Sequence, residues 1–274
     1  QQQMNGPIHE DYQQEVVSPL WTLRVRSQIQ PNHNLWVKYS DSPSTGFAIA
    51  YVGAAALGER FALTSQSQTA SHWAAQYSGV FGSSFTGELM FADAKETIDV
   101  VPFEVSPLHD GAPHFSQADS KYYNGGAFDG AVSRPRRQAS GALTWFGTFG
   151  RNSHSIKAGF DWQDMTSSND FKFPGGNTLY IDNSFDQATR AFSPFLRRDY
   201  DSGASASNGT SWAFYVRDKF NVGSRISMEA GLRFETQTGE SDVDEATIDT
   251  FTVSPRFSGA YDLRGDGKSL IVAS

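Results

Sequence analysis

The chain has 274 residues and no cysteine, which excludes disulfides, thiolate metal sites and a cysteine nucleophile. Its net charge of −8 argues against nucleic-acid binding, which needs a basic face to displace counterions. Its most apolar run, Phe47 to Leu57, is about half the roughly 20 residues of a membrane helix; helical spans are excluded, but a membrane barrel is not, because alternating strands average out as polar.

In chain order, Gln1 to Gln14 is polar and Gln-rich, without the basic and apolar regions of a signal peptide. Period-2 alternation then begins: Trp21, Leu23, Val25 and Ile29 against Thr22, Arg24, Arg26 and Gln28. Weaker alternation covers 34–40, 71–81, 84–92 and 138–148. Ile156, Ala158, Phe160 and Trp162 oppose Lys157, Gly159, Asp161 and Gln163; Trp212, Phe214 and Val216 oppose Ser211, Ala213, Tyr215 and Arg217. The clearest run is Ile226 to Glu235, where Ile226, Met228, Ala230, Leu232 and Phe234 are apolar and Ser227, Glu229, Gly231, Arg233 and Glu235 are polar or small. Only a strand separates two such sets cleanly onto opposite faces. Phe251, Val253, Phe257 and Tyr261 share a further face, and a last strand starts at 269 and is cut at Ser274. About ten strands result, most of about 8–11 residues, near the length that crosses a bilayer at a tilt.

The connections alternate in length. Short turns at 30–33, 82–83, 150–153, 221–224 and 264–267 are rich in Gly, Asn, Asp and Pro. Between the hairpins lie 41–70, 93–137, 165–209 and the shorter 237–249, which read as polar loops, with 93–137 and 165–209 expected to be the least ordered. Short turns at one rim and long loops at the other belong to outer-membrane barrels. The six Trp fall within the candidate strands, mostly near an end, as an aromatic girdle requires. The expected fold is all-β, an antiparallel up-and-down meander forming a segment of a transmembrane barrel over 1–274, with two unpaired edges.

The chemical motifs are weak. Asp262 to Ser269 misses a phosphate loop by its first glycine and no helix follows it; a tight turn is expected. His109, Asp110 and His114 are imidazole and carboxylate donors, but their spacing fits no element and a flexible loop is expected. Asp242, Asp244, Glu245 and Asp249 read as a solvated acidic loop, and Arg134, Arg136 and Arg137 as a solvated or lumen-facing strand end. No nucleophile motif is present, so neither an enzyme nor a cofactor or metal site is expected.

The last 65 residues resemble TonB-dependent receptors. Ser211 to Phe220 followed by Ile226 to Glu235 is similar to that family's strand ending in Gln/Arg-Asp and a hydrophobe, a short turn, then "Leu-x-x-Gly-Leu-Arg-Phe/Tyr-Glu". Phe251 to Asp262 resembles "Phe-Ser-Pro-Arg-x-x-x-x-Tyr-Asp", and His154 to Trp162 resembles "His-x-Leu-Lys-x-Gly-x-Asp". The spacing looks most like the large Oar-type (OmpA-related) receptors. The resemblance implies a 22-stranded cylinder with an N-terminal plug, so that plug and remaining strands are expected outside this stretch. It also implies energised uptake of a bulky nutrient, with outer-membrane lipid, the TonB energy-coupling complex and an extracellular ligand as partners. The expected lumen-facing residues are Lys157, Asp161, Arg217, Glu229, Arg233, Glu235 and Arg256. The expected lipid-facing residues are Ile156, Phe160, Trp212, Phe214, Ile226, Met228, Leu232 and Phe234. A passive porin shares the strands but has no plug; a soluble carbohydrate-binding module shares neither the lipid nor the plug.

Overall fold

The computed structural model describes all residues except 1, 2, 6–10, 14, 50–55, 58, 59, 127, 187, 190, 202 and 243–245. In chain order, a small ladder of β1 (Gln3–Asn5) and β2 (Asp11–Gln13) precedes β3 (Glu15–Val17), β4 (Trp21–Gln30), β5 (His33–Asp41), β6 (Ser44–Ile49) and β7 (Ala56–Leu57). Then come β8 (Thr64–Phe81), β9 (Phe85–Pro102), β10 (His114–Ser116), β11 (Lys121–Tyr123), β12 (Asp129–Ser133), β13 (Arg136–Phe149) and β14 (Asn152–Lys172). The rest are β15 (Thr178–Asp186), β16 (Ala191–Asp199), β17 (Ala204–Val222), β18 (Ile226–Ser241), β19 (Ala246–Asp262) and β20 (Leu270–Ala273).

The main sheet runs β4–β5–β8–β9–β13–β14–β17–β18–β19–β20, every pair antiparallel. Three wall strands are interrupted rather than ended. β3 continues β4, β6 continues β5, and β12 continues β13, each pair lying along the same neighbours. A proline sits in every gap: Pro19, Pro43 and Pro135. Proline has no N–H to give the ladder, so the strand breaks there and resumes. Ser42 N–H to Ala70 O (2.9 Å) and Arg134 N–H to Glu96 O (2.8 Å) carry the ladder across two of the breaks. The registers set Pro19 opposite Pro43, and Pro135 within two residues of the same row.

The short connections share one rim. Val80 N–H donates to Asn32 O (3.1 Å), Phe146 N–H to Ser84 O (2.7 Å) and Asp262 N–H to Arg225 O (2.8 Å), each joining neighbouring turns or the strand beside them. Asn32, Gly82, Gly150 and Gly223 hold positive φ of 64–66°, the left-handed conformation that a tight reversal needs and that Gly and Asn supply at least cost. The 262–269 stretch closes on the Asp262 carboxylate, which accepts the N–H groups of Arg264, Gly265 and Gly267.

The other rim departs from the sequence reading. The seven wall strands β8, β9, β13, β14, β17, β18 and β19 reach 14–21 residues, not 8–11, and absorb much of 93–137, 165–209 and 237–249. The outer halves of β8, β14 and β17 are mostly polar on both faces, so no alternation marks them; the ladder extends because a comparably long neighbour lies beside each. What remains of the two longest stretches folds into a cap. This five-stranded sheet has the order β16–β15–β10–β11–β7, with β10 parallel to β15 and antiparallel to β11. Among the described residues, every buried apolar side chain except Ala213 belongs to the cap or to wall ends beside it, including Leu63, Val100, Tyr123, Val132 and Leu179. The compact core therefore sits at this rim, where a loose loop was expected.

The wall has two unlike faces, fixed by register. One carries Leu23, Val25, Tyr39, Trp73, Leu89, Leu143, Val216 and Val253; the other carries Arg24, Lys38, Gln76, Glu88, Thr144, Arg217 and Ser254. Trp36 of β5 and Ile248 of β19 line one cavity of about 960 Å³, although six wall strands lie between them. That is possible only if the sheet curls toward its polar face.

Candidate functional site

The concave polar face is the best-organised constellation in the wall. It forms because β14, β17, β18 and β19 run in register, so polar residues alternate onto the same side of four adjacent strands. Lys157 Nζ donates to Glu88 Oε1 at 2.6 Å. Arg217 Nη1 lies 3.3 Å from Glu229 Oε1, and Lys219 Nζ 3.7 Å from Glu229 Oε2. Arg233 donates through Nη1 to Asp161 Oδ2 (2.7 Å) and through Nε to Glu235 Oε2 (3.0 Å). Gln237 Nε2 completes the chain at Glu235 Oε1, 2.9 Å away. These groups are exposed or half-buried, so each pair is worth only about 0–1 kcal/mol. Their effect is to keep fixed, alternating charge along a wetted surface. Arg256 shares the face and adjoins the same groups in a cavity of about 320 Å³.

All seven expected lumen residues thus fall on one face. The eight expected lipid residues fall on the other: Trp212, Phe214, Ile226, Leu232 and Phe234 are exposed, and Ile156, Phe160 and Met228 half-buried. The Phe160 ring is partly covered because it lies over Gly141, where a Cβ would come within 2.8 Å of it. Five of the six Trp share this apolar face. Trp36 does not; it lies on the polar face, with Arg24 stacked 4.8 Å over its ring and its N–H donated to Gln76.

Aromatics on the apolar face form two rows. Phe81, Phe85, Trp145, Phe149, Phe220 and Tyr261 lie near the short turns; Trp73, Trp162, Trp212 and Phe251 lie higher up the same strands. On β17 the rows are eight residues apart, from Trp212 to Phe220, roughly 26 Å along the strand and about 20 Å of height at a 40° tilt. Level with Trp73 and one step above Trp162 and Trp212, Arg137 pairs with Asp93 at 3.2 Å. Its neighbour Arg136 turns to the polar face and reaches Gln138.

The sequence reading missed a second constellation, in the cap. His114 is buried, and its Nδ1 lies 2.8 Å from Oδ2 of fully buried Asp182. His114 Nε2 is 2.9 Å from Nδ1 of His109, and Tyr180 stacks on both imidazoles at 4.4–4.6 Å. With Nδ1–H donated to the carboxylate, Nε2 of a neutral His114 accepts, and His109 supplies the proton between them. Phe192 covers the other side of His114. Buried Asn124 pairs with Ser106 and donates to Leu108 O and Ala112 O, both at 2.8 Å, which ties down the turn bearing His109. The loop expected for these histidines is instead held by long-range pairing. His109 and His114 were visible as imidazoles, but nothing near them announced Asp182. Among the described residues no group of three or more His, Asp or Glu could hold a metal. Asp244 and Glu245 of the acidic loop lie outside the described residues; Asp249 is in β19.

At the cap edge, a hydrogen bond from Thr178 and then one from Arg197 hold the Asp199 carboxyl below the usual range. The Thr189 hydroxyl, then the Ala188 and Thr189 N–H groups, do the same for Asp186. Burial raises the Tyr122 phenol, with Tyr200 adding to the effect.

A family model described as an outer membrane beta barrel domain matches residues 8–272. The chain belongs to that family. Its place is therefore the outer membrane of a Gram-negative bacterium, and its sheet is barrel wall. The fold is that of TonB-dependent receptors. It is similar to BauA, the ferric preacinetobactin receptor from Acinetobacter baumannii, with a TM-score of 0.58 and 11% identity over 91% of this chain. It is also similar to FpvA from P. aeruginosa, solved with bound pyoverdines (TM-score 0.59, 11% identity over 91% of the chain). A third is the outer membrane transporter YddB from Escherichia coli (TM-score 0.54, 10% identity over 94%). The chain spans 38%, 34% and 38% of those three proteins. No curated protein matches the sequence.

Proposed function

We infer that this barrel domain is part of the wall of a TonB-dependent receptor, and that the whole protein imports a bulky nutrient with energy supplied from the inner membrane. The observation that carries the reading is the two-faced meander with short turns at one rim and a folded cap at the other. In this reading the apolar face meets lipid between two aromatic girdles, and the seven charged residues line the interior. The described edges β4 and β20 need strand partners, because an unpaired edge in hydrocarbon leaves backbone groups unsatisfied. Further strands would close the cylinder, and an N-terminal plug would fill it and carry the contact to TonB. The cap, on the extracellular rim, would meet the ligand before the interior does. An Oar-type subfamily fits the motif spacing. The role is binding and passage, with no bond made or broken.

The test is to reconstitute the full-length protein in liposomes and follow solute entry. A plugged receptor leaves small sugars excluded, and uptake in cells stops when the proton-motive force is collapsed. Free diffusion of small sugars, indifferent to energy, would instead establish a passive porin.

A further inference from the structure

The charges of the polar cluster around Arg233 do not balance. Across β9, β14, β17, β18 and β19 the cluster contains five cations, Lys157, Arg217, Lys219, Arg233 and Arg256, and four carboxylates, Glu88, Asp161, Glu229 and Glu235. Every carboxylate is engaged by one of the first four cations. Among the described residues, Arg256 has neither an ion pair nor a side-chain hydrogen bond.

Register places Arg256 with care. Lys157 stands opposite Arg217, Arg217 opposite Gly231, and Gly231 opposite Arg256, one row across four strands. Gly231 has no side chain, and a Cβ there would lie 2.9 Å from Val216 O and 3.0 Å from Arg217 Cβ. The cavity of about 320 Å³ that Arg217, Gly231 and Arg256 line leaves a notch at this point of the row, between the two arginines. Two strand spacings of roughly 4.8 Å set the backbones of Arg217 and Arg256 on the order of 10 Å apart. Two long arginine side chains can close on one oxyanion across that gap, and planar guanidinium groups suit its oxygens. Glu229 and Arg233 border the notch two residues away on each side of Gly231, and Glu229 is already occupied by Arg217 and Lys219.

We propose that the notch over Gly231, between Arg217 and Arg256, binds an anionic oxygen group, a carboxylate or a phosphate. The inference rests on reading the polar face as the inner wall. The same chemistry has two sources: an anionic solute inside the barrel, or an acidic side chain of the protein's own chain seated there. Arg256 supplies the unmatched charge, and Arg217 can swing from Glu229 at little cost because that pair is long and exposed.

The test uses the full-length protein in neutral detergent, with inorganic phosphate as the probe, followed by titration calorimetry. A solute site gives saturable phosphate binding in the wild type. Arg256→Gln then binds roughly ten-fold more weakly, the loss of one charge-assisted hydrogen bond, and Arg256→Lys falls between. An internal acidic group instead leaves no phosphate binding in the wild type. In that case a photoreactive label on Arg256→Cys cross-links to a segment of the same protein beyond residues 1–274, and Arg256→Gln lowers Tm. Phosphate binding unchanged by Arg256→Gln overturns the proposal, as does absence of both binding and cross-link. A fluorophore on Leu232→Cys, quenched by brominated lipid, reports on the wall separately: quenching there with a negative result at Arg256 removes the anion site and keeps the wall.

Discussion

His154 and Asp218, 64 residues apart, meet on the apolar face with Nδ1 of the histidine 2.6 Å from Oδ2 of the carboxylate. Phe149 packs edge-on against His154 and Phe220 stacks on it, so the pair sits within the lower aromatic row. The other carboxylate oxygen, Oδ1, is buried with no hydrogen-bond partner among the described residues. The His154 strand and the Arg217-Asp218 strand end are two of the segments that carry the resemblance to TonB-dependent receptors. Their polar residues are there for each other.

Removing one partner should therefore cost more than removing both. His154→Ala leaves a partly buried carboxylate without its donor, an expected loss of about 1–3 kcal/mol. The double variant with Asp218→Ala should recover part of that loss. Urea titration in detergent, run as a double-mutant cycle, checks this; simple additivity would mean the two residues are not coupled.

Leu232 stands between the two aromatic rows and is exposed on the apolar face. Leu232→Arg should destabilise folding into lipid by about 2–4 kcal/mol if that face meets the membrane midplane. Ser254→Arg, its neighbour on the polar face, should cost far less. Equal effects in a lipid-folding titration would mean that the two faces are not differently solvated.

Parity can be read without energetics. Residues 1–274 contain no cysteine, so a single cysteine here reports cleanly once any outside this stretch are replaced by serine. Phe214→Cys should resist a membrane-impermeant thiol reagent and Tyr215→Cys should react, in whole protein whose interior is open to solvent. Reversed reactivity would exchange the two faces.

In the cap, His114→Ala leaves the buried Asp182 carboxyl without its donor, an expected loss of about 1–3 kcal/mol. Hydrogen exchange should rise across 103–128 and 173–203 and stay low in β14, β17 and β18. Uniform exchange throughout the chain would show instead that cap and wall unfold as one unit.

Acid should loosen the cap edge in a defined direction. Asp199 and Asp186 titrate below an ordinary aspartate because of the hydrogen bonds they accept. A lowered folded value means that the contribution is present above the unfolded value and is lost as pH falls through the folded one. Protection factors at β16, corrected for the intrinsic exchange rate, should stay flat from neutral pH down to the ordinary aspartate range and fall only below it. Asp199→Asn should flatten that acid limb.

The amino-acid sequence by itself determined the two-faced wall: its strand count, the side each residue takes from Ile156 to Tyr261, and the rim that holds the short turns. Alternation suffices for that, because a strand's two faces differ by one residue and a turn needs only a local Gly or Asn. Only the tertiary structure decided the rest. The outer halves of β8, β14 and β17 are mostly polar on both sides and become strands because a comparably long neighbour lies beside them. The cap is decided at longer range still. His114 pairs in parallel with Tyr180, and its imidazole reaches Asp182, 68 residues away. Short strands joined across such distances leave no periodicity, so a buried His–Asp hydrogen bond was indistinguishable from loop until both segments stood in one sheet.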